Sequence, residues 1–298
     1  MPENNICPAC RATNTTDLFQ AKDHLVSGRE FLIRQCTNCG MGWTVDPPSE
    51  EEAGKYYASD EYISHTDSKQ SLADRLYHLA REFMLGRKGK LVNTAVRKSA
   101  GVIIDIGSGT GYFAAFMQKR GWQVTGIELS EKARKYSVER FGIRAIGPQQ
   151  VMDLPSAYAD CITFWHVLEH LYNPEGWMGE VRRILKEDGK CIIALPNFAS
   201  ADAKWFGRMW AALDVPRHLW HFTPAAFRQF AAKQGFACER TSALPLDLFY
   251  ISSLSYRNTG KALPLARGLL TGAVIALRSL FRRDSASSLV YVLSKKDS

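Results

Sequence analysis

The chain lacks any apolar run of the roughly 20 residues needed to cross a bilayer. The uncharged core of its apolar segment Leu263 to Phe281, which Arg267 and Arg278 interrupt, runs only from Gly268 to Leu277. The first residues are polar and lead into cysteines, without the apolar stretch of a signal peptide. Internal repeats, heptad runs and low-complexity tracts are missing too, which argues against solenoids and coiled coils. Seven cysteines without a secretory signal imply reduced thiols, so the expected compartment is the cytoplasm, with the inner-membrane surface as an alternative. The net charge of +8 is dispersed over pairs such as Arg87-Lys88, Lys119-Arg120, Arg182-Arg183 and Arg282-Arg283. That dispersal reads as a solvated basic surface, with an anionic substrate or membrane as the sharper alternative. At 298 residues and 46% hydrophobic content, the chain can bury a full core in one or two domains.

Four of the cysteines form two knuckles, Cys7-Pro8-Ala9-Cys10 and Cys36-Thr37-Asn38-Cys39. Paired C-x-x-C spacing lets four thiolates turn back onto one tetrahedral ion, so Cys7, Cys10, Cys36 and Cys39 are expected to hold a structural zinc. Neither knuckle opens a helix, as a redox C-x-x-C would. Phe31-Leu32-Ile33-Arg34 between them alternates as a ribbon strand. Cys161, Cys191 and Cys238 lie in apolar contexts and read as small hydrophobes.

Val102-Ile103-Ile104-Asp105-Ile106 runs into Gly107-Ser108-Gly109-Thr110-Gly111, and Tyr112 to Met117 then reads as a helix. Strand, bare turn and helix N-terminus together bring backbone amides up to a nucleotide-like ligand. The dinucleotide fingerprint G-x-G-x-x-G is not present, because the third glycine comes one residue early. Gln123 to Ile127 reads as a second strand, and Glu128 closes it with an acceptor-only group suited to two vicinal hydroxyls. Ala159 to Trp165 reads as a fourth strand and runs into His166-Val167-Leu168-Glu169-His170. A helix carrying Val181-Arg182-Arg183-Ile184-Leu185-Lys186 follows and is expected to stop at Gly189, before a fifth strand, Lys190 to Asn197.

The loop and the block after it resemble class I S-adenosylmethionine (SAM) methyltransferases over roughly residues 100–240. The resemblance implies an α/β, Rossmann-like seven-stranded sheet of order 3-2-1-4-5-7-6 with the last strand antiparallel. It implies SAM held by Asp105, Gly107, Ser108, Gly109, Gly111, Glu128, Leu129 and Trp165, with the adenine amino group on Gln150 or Asp153. Phe236 to Arg240 and Leu289 to Leu293 would be the last two strands. With the cysteine knuckles, the chain is similar to a bacterial subgroup carrying an N-terminal zinc ribbon.

Methyl transfer needs an aligned nucleophile and, often, a base for its proton. The candidate bases are His166, His218 and His221. The last two lie in Asp214-Val215-Pro216-Arg217-His218-Leu219-Trp220-His221-Phe222-Thr223, which follows Lys204 to Trp210 and resembles a segment found in methyltransferases of cell-surface glycan and lipid pathways. Arg217 is the candidate clamp for an anionic substrate group. The expected acceptor is a small molecule or a glycan- or lipid-linked one. Two alternatives stay open: sugar C-methylation, and metal-assisted O-methylation of a catechol. The latter rests on His166-x-x-Glu169-His170, which resembles the Glu-x-x-Glu-His of ubiquinone-pathway enzymes. A non-enzyme alternative, a zinc-ribbon nucleic-acid binder with a degenerate nucleotide fold, is disfavoured because the ribbon lacks a clustered basic face.

Three units are expected: a ribbon over 1–48, a helical linker and lid over 49–99, and a methyltransferase domain over 100–298. Trp43 to Pro48 reads as linker, and the helical stretch from Leu72 to Lys98 as broken near Gly86 and Gly89. Tyr57, Tyr62 and His65 are the lid candidates. Residues 263–283 are expected to pack internally, to form a homodimer interface, or to lie on a membrane surface.

Overall fold

The computed structural model describes residues 6–57, 72–281 and 283–296. Tyr62 and His65 lie outside the described residues. The N-terminal part is an antiparallel ribbon of β1 (Thr15–Lys22), β2 (Glu30–Cys36) and β3 (Gly42–Thr44). β3 occupies the start of the expected linker, because Trp43 and Thr44 are buried and paired rather than exposed. A helical turn, α1 (Glu50–Ala53), leads to α2 (Leu72–Val96), which runs unbroken through both glycines. Gly89 is a contact point instead of a break: a Cβ there would lie 2.7 Å from the Phe116 ring.

A seven-stranded sheet follows, with β4 (Val102–Ile106), α3 (Tyr112–Gln118), β5 (Gln123–Ile127), α4 (Glu131–Phe141), β6 (Arg144–Ile146) and β7 (Ala159–Trp165). Then come α5 (Pro174–Ile184), β8 (Leu185–Pro196), α6 (Ala201–Phe206), β9 (Trp220–His221), α7 (Pro224–Lys233) and β10 (Phe236–Ala243). The chain closes with α8 (Asp247–Asn258), α9 (Pro264–Phe281) and β11 (Ser288–Lys295). Side chains of Ser130, Asn173 and Thr223 cap α4, α5 and α7 by accepting from backbone amides, and proline opens the last two helices. Helix α5 stops at Ile184 rather than at Gly189. Leu185 is already extended and begins β8, with a register shift against β7 taking up the extra residues.

The strand order is β6-β5-β4-β7-β8-β11-β10, parallel except for β11, which runs antiparallel to both neighbours. This is the expected order. Both faces of β4 are covered, so its apolar residues split between two cores. Ile104 and Ile106 join one with Phe164 and Phe227, while Ile103 joins the other with Val92, Met117 and Trp122.

The ribbon is not a free appendage. Its sheet gains a fourth strand, β9, from the segment between β8 and β10. Cys7, Cys36, Cys39 and Trp43 belong to the same apolar cluster as Ile104 and Phe164. Helix α9 packs on α8 and leaves Leu265, Leu269, Leu270, Val274 and Leu277 exposed. Among the described residues, no helix is long and apolar enough to cross a membrane.

Candidate functional site

The C-terminal ends of β4, β5 and β7 converge on the Gly107–Gly111 loop. Amides of Gly107 and Ser108 donate to the Ile127 carbonyl at 2.7 and 3.1 Å, stitching the loop to the end of β5. All three glycines hold positive φ, a conformation that side chains disfavour. Their surroundings differ. A Cβ on Gly107 would collide with Val167, whereas one on Gly109 would meet nothing within 4 Å. Gly109 therefore presents bare main chain to open space.

Glu128 is fixed across this loop. Its Oε2 accepts from the Gly109 amide at 2.8 Å and its Oε1 from the Ser130 amide at 2.9 Å. Each carboxylate oxygen keeps a lone pair for a further donor. Beside it, Leu129 and Met152 are exposed. Gln150 Oε1 accepts from the Gly147 amide at 3.0 Å, and Asp153 is exposed. Asp105 is buried under the loop and accepts from Thr163 Oγ1 at 2.6 Å. Burial pushes its carboxyl up to about 7, against the Thr163 hydrogen bond. Among the described residues, Ser108 Oγ and Trp165 Nε1 are buried without a hydrogen-bond partner.

His166 ends β7 with a φ of 60° and is gripped on both sides. Asp247 Oδ2 lies 3.0 Å from Nε2, and Glu169 Oε1 lies 3.5 Å from Nδ1. Burial works against its charge, but the two carboxylates prevail and lift it to about 9. Lys88 Nζ lies 4.4 Å over the Trp165 ring, a cation–π contact. Burial lowers the Lys88 ammonium, with Asp105 and Asp247 partly offsetting the loss. Sequence reasoning missed Lys88 and Asp247. Lys88 lies on α2, just before the strand that opens the loop, and Asp247 starts α8, far beyond it, and no motif marks either.

The insert residues fare differently. Arg217 is not a substrate clamp: its side chain is 1% exposed and committed to internal partners. It donates to Asp23 Oδ1 at 3.1 Å, to Asp214 Oδ1 at 2.6 Å and to the Tyr56 carbonyl at 3.1 Å. Asp23 in turn is held by amides of Leu25, Val26 and Ser27 in the β1–β2 loop. His221 is no base either. Thr44 Oγ1 donates its proton to the His218 carbonyl at 2.7 Å, so it accepts from His221 Nε2 at 3.2 Å. Burial, then the nearby His218, drops His221 to about 3. His218 is buried with Nδ1 on the Ala212 carbonyl at 2.9 Å. Of the three candidate bases, His166 is the least buried, its side chain 31% exposed against 10% for His218. Tyr57 contacts His170 Nδ1 through its hydroxyl at 3.0 Å.

In the ribbon, Cys7 Sγ and Cys39 Sγ are 3.5 Å apart, as are Cys10 Sγ and Cys36 Sγ, and all four sulfurs lie within 4.8 Å of one another. These spacings bracket the roughly 3.8 Å edge of a tetrahedral zinc–thiolate site.

A methyltransferase-domain family profile matches residues 77–241, over half of the chain. The chain belongs to that family. It is a class I SAM-dependent methyltransferase. The chain is 25% identical to a ubiquinone biosynthesis O-methyltransferase of Azoarcus over 189 residues, 60% of this chain and 78% of that one. A ubiquinone biosynthesis O-methyltransferase of Idiomarina loihiensis is 29% identical over 102 residues, only 42% of its own length. The fold is similar to that of the 1,6-didemethyltoxoflavin-N1-methyltransferase of Burkholderia thailandensis, which was solved with S-adenosylhomocysteine. That likeness has a TM-score of 0.52 and 15% identity and covers 93% of this chain and 100% of the other.

Proposed function

We propose that this methyltransferase holds SAM over the Gly107–Gly111 loop and transfers its methyl group to a small-molecule acceptor beside His166. The open face of Gly109 next to the pinned Glu128 carries this reading. Glu128 accepts from the ribose hydroxyls, and Leu129 and Met152 flank the adenine with apolar surface. Lys88 neutralises the methionine carboxylate, which is why a lysine is kept near Asp105 and Asp247 at the expense of its hydration. When bound, the cofactor supplies an electrophilic sulfonium methyl, so the protein's work is positioning and proton removal.

His166 is the base in this reading: Asp247 positions it through Nε2 at 3.0 Å, and Nδ1, whose contact with Glu169 is the longer at 3.5 Å, takes the proton. Because the imidazole is lifted to about 9, only about 1% of it is neutral at pH 7. The neutral form takes the proton, so turnover should rise about tenfold per pH unit and level off near pH 9. A His166→Gln variant should be slow and flat over the same range, with SAM affinity kept. A wild-type profile that is flat from neutral to alkaline pH would remove His166 from this role.

The four ribbon thiolates hold a zinc that fastens the knuckles against β9 and has no coordination position left for substrate. Metal analysis of Cys7→Ser should show loss of one zinc per chain; an unchanged content would assign the metal elsewhere.

A further inference from the structure

Helix α9 reverses the usual arrangement of a surface helix, which buries its large apolar side chains and exposes the rest. Its buried stripe is Gly268, Gly272 and Ile275. Leu265, Leu269, Leu270, Val274 and Leu277, with Leu263 just before the helix, are 48–73% exposed. Leu270, Val274 and Leu277 each stand two residues beyond a member of the buried stripe, about 200° around the helix. They face directly away from it.

A loosely seated helix does not explain this exposure. A Cβ on Gly268 would collide with the backbone of Ser253 in α8, and one on Gly272 with the Phe249 ring. The Tyr256 and Thr271 hydroxyls meet at 3.0 Å across the same contact. The glycines thus hold the two helices at close approach, and the leucines form an outward platform. A contiguous apolar patch of this kind marks a surface that binds a protein or a membrane.

Charge decides between them. Between Asp247 and Asp284 the chain carries Arg257, Lys261, Arg267, Arg278, Arg282 and Arg283 and no carboxylate at all. Arg267 is exposed among the leucines. A second copy docked about a two-fold axis would set this cationic stretch against its own image, with no acid in the stretch to pair with it. An anionic lipid surface satisfies both features, because acyl chains take up leucine side chains and headgroups take up cations.

We infer that α9 docks on an anionic lipid surface, lying along it with its leucine face down. Gly268 meets Ser253 and Gly272 meets Phe249, so α9 runs antiparallel to α8 and its second half lies beside the start of α8. Asp247 begins α8 and holds His166, so the docked surface adjoins that flank of the site. The inference does not depend on how SAM or the acceptor binds.

The test is co-sedimentation of the full-length protein with vesicles of phosphatidylcholine, alone or with roughly one-third phosphatidylglycerol. Wild type should bind the anionic vesicles at least about tenfold more tightly than the neutral ones, and high salt should remove most of that difference. Leu270→Gln combined with Leu277→Gln changes two exposed positions to a good helix former. This variant should unfold within about two degrees of wild type. It should bind the anionic vesicles at least about tenfold more weakly. Leu270→Gln alone, at about threefold weaker, keeps the test decisive if the double variant is unstable. Failure of wild type to bind the anionic vesicles, equal binding to both kinds, or unchanged binding by the folded variants would overturn the inference. So would a wild-type dimer, seen by analytical ultracentrifugation without lipid, that the double variant dissociates; the face would then belong to a second copy.

Discussion

Gly109→Val should abolish SAM binding while leaving the protein folded. The residue holds a φ of 52°, and a side chain there would project into open space, not into the protein. Strain from a β-branched residue in that region costs roughly 1–3 kcal/mol, which a domain of this size survives. The valine methyls, however, would fill the volume over the loop and hold a ligand off the backbone amides. Calorimetry should show at least about a hundredfold loss of affinity, equivalent to roughly 2.8 kcal/mol. Gly107→Ala offers the contrast, since its new methyl would strike Val167 and the damage falls on stability. Near-wild-type SAM affinity in Gly109→Val would mean that the cofactor lies elsewhere.

Arg217→Met should be among the most destabilising single substitutions in the chain. It would leave Asp23 and Asp214 facing one another without the guanidinium that joins them. Asp23 is fully buried, so it cannot recover its hydration. Removing one partner from a buried ion cluster costs about 3–5 kcal/mol. For a chain of this size that lowers Tm by roughly 6–20 °C. Arg217→Lys should fall between the two, because an ammonium keeps the charge but not the fork that reaches Asp214, Asp23 and the Tyr56 carbonyl together. If Arg217→Met unfolds within about two degrees of wild type yet loses turnover, the arginine serves substrate instead of structure.

The two variants mark two kinds of legibility. Gly109 was readable because a strand, three alternating glycines and a helix start are local features, and backbone conformation follows from neighbouring residues. The order of the large sheet came with the family resemblance that this loop and the block after it carry, and the structure has the same order. Arg217 was not readable. Arginine and two histidines in an aromatic segment suit a substrate loop and a buried ion cluster equally well, and Asp23 lies far away in the ribbon. His218 and His221 misled for the same reason, since burial decides whether an imidazole titrates usefully and no local pattern reports it. Lys88 and Asp247 carried no signal at all; only the fold brings them to the end of β7.

The amino-acid order alone determined the glycine turn, the acid at the end of the second strand and the cysteine knuckles, while the path of the main sheet came with the family resemblance those motifs carry. Each of those motifs depends on backbone geometry or spacing over a few residues. Tertiary structure decided which charged groups face the cleft and which are buried against one another, and that β9 completes the ribbon's sheet. Desolvation and ion pairing are set by groups distant in sequence, so they exist only once the chain has closed around them.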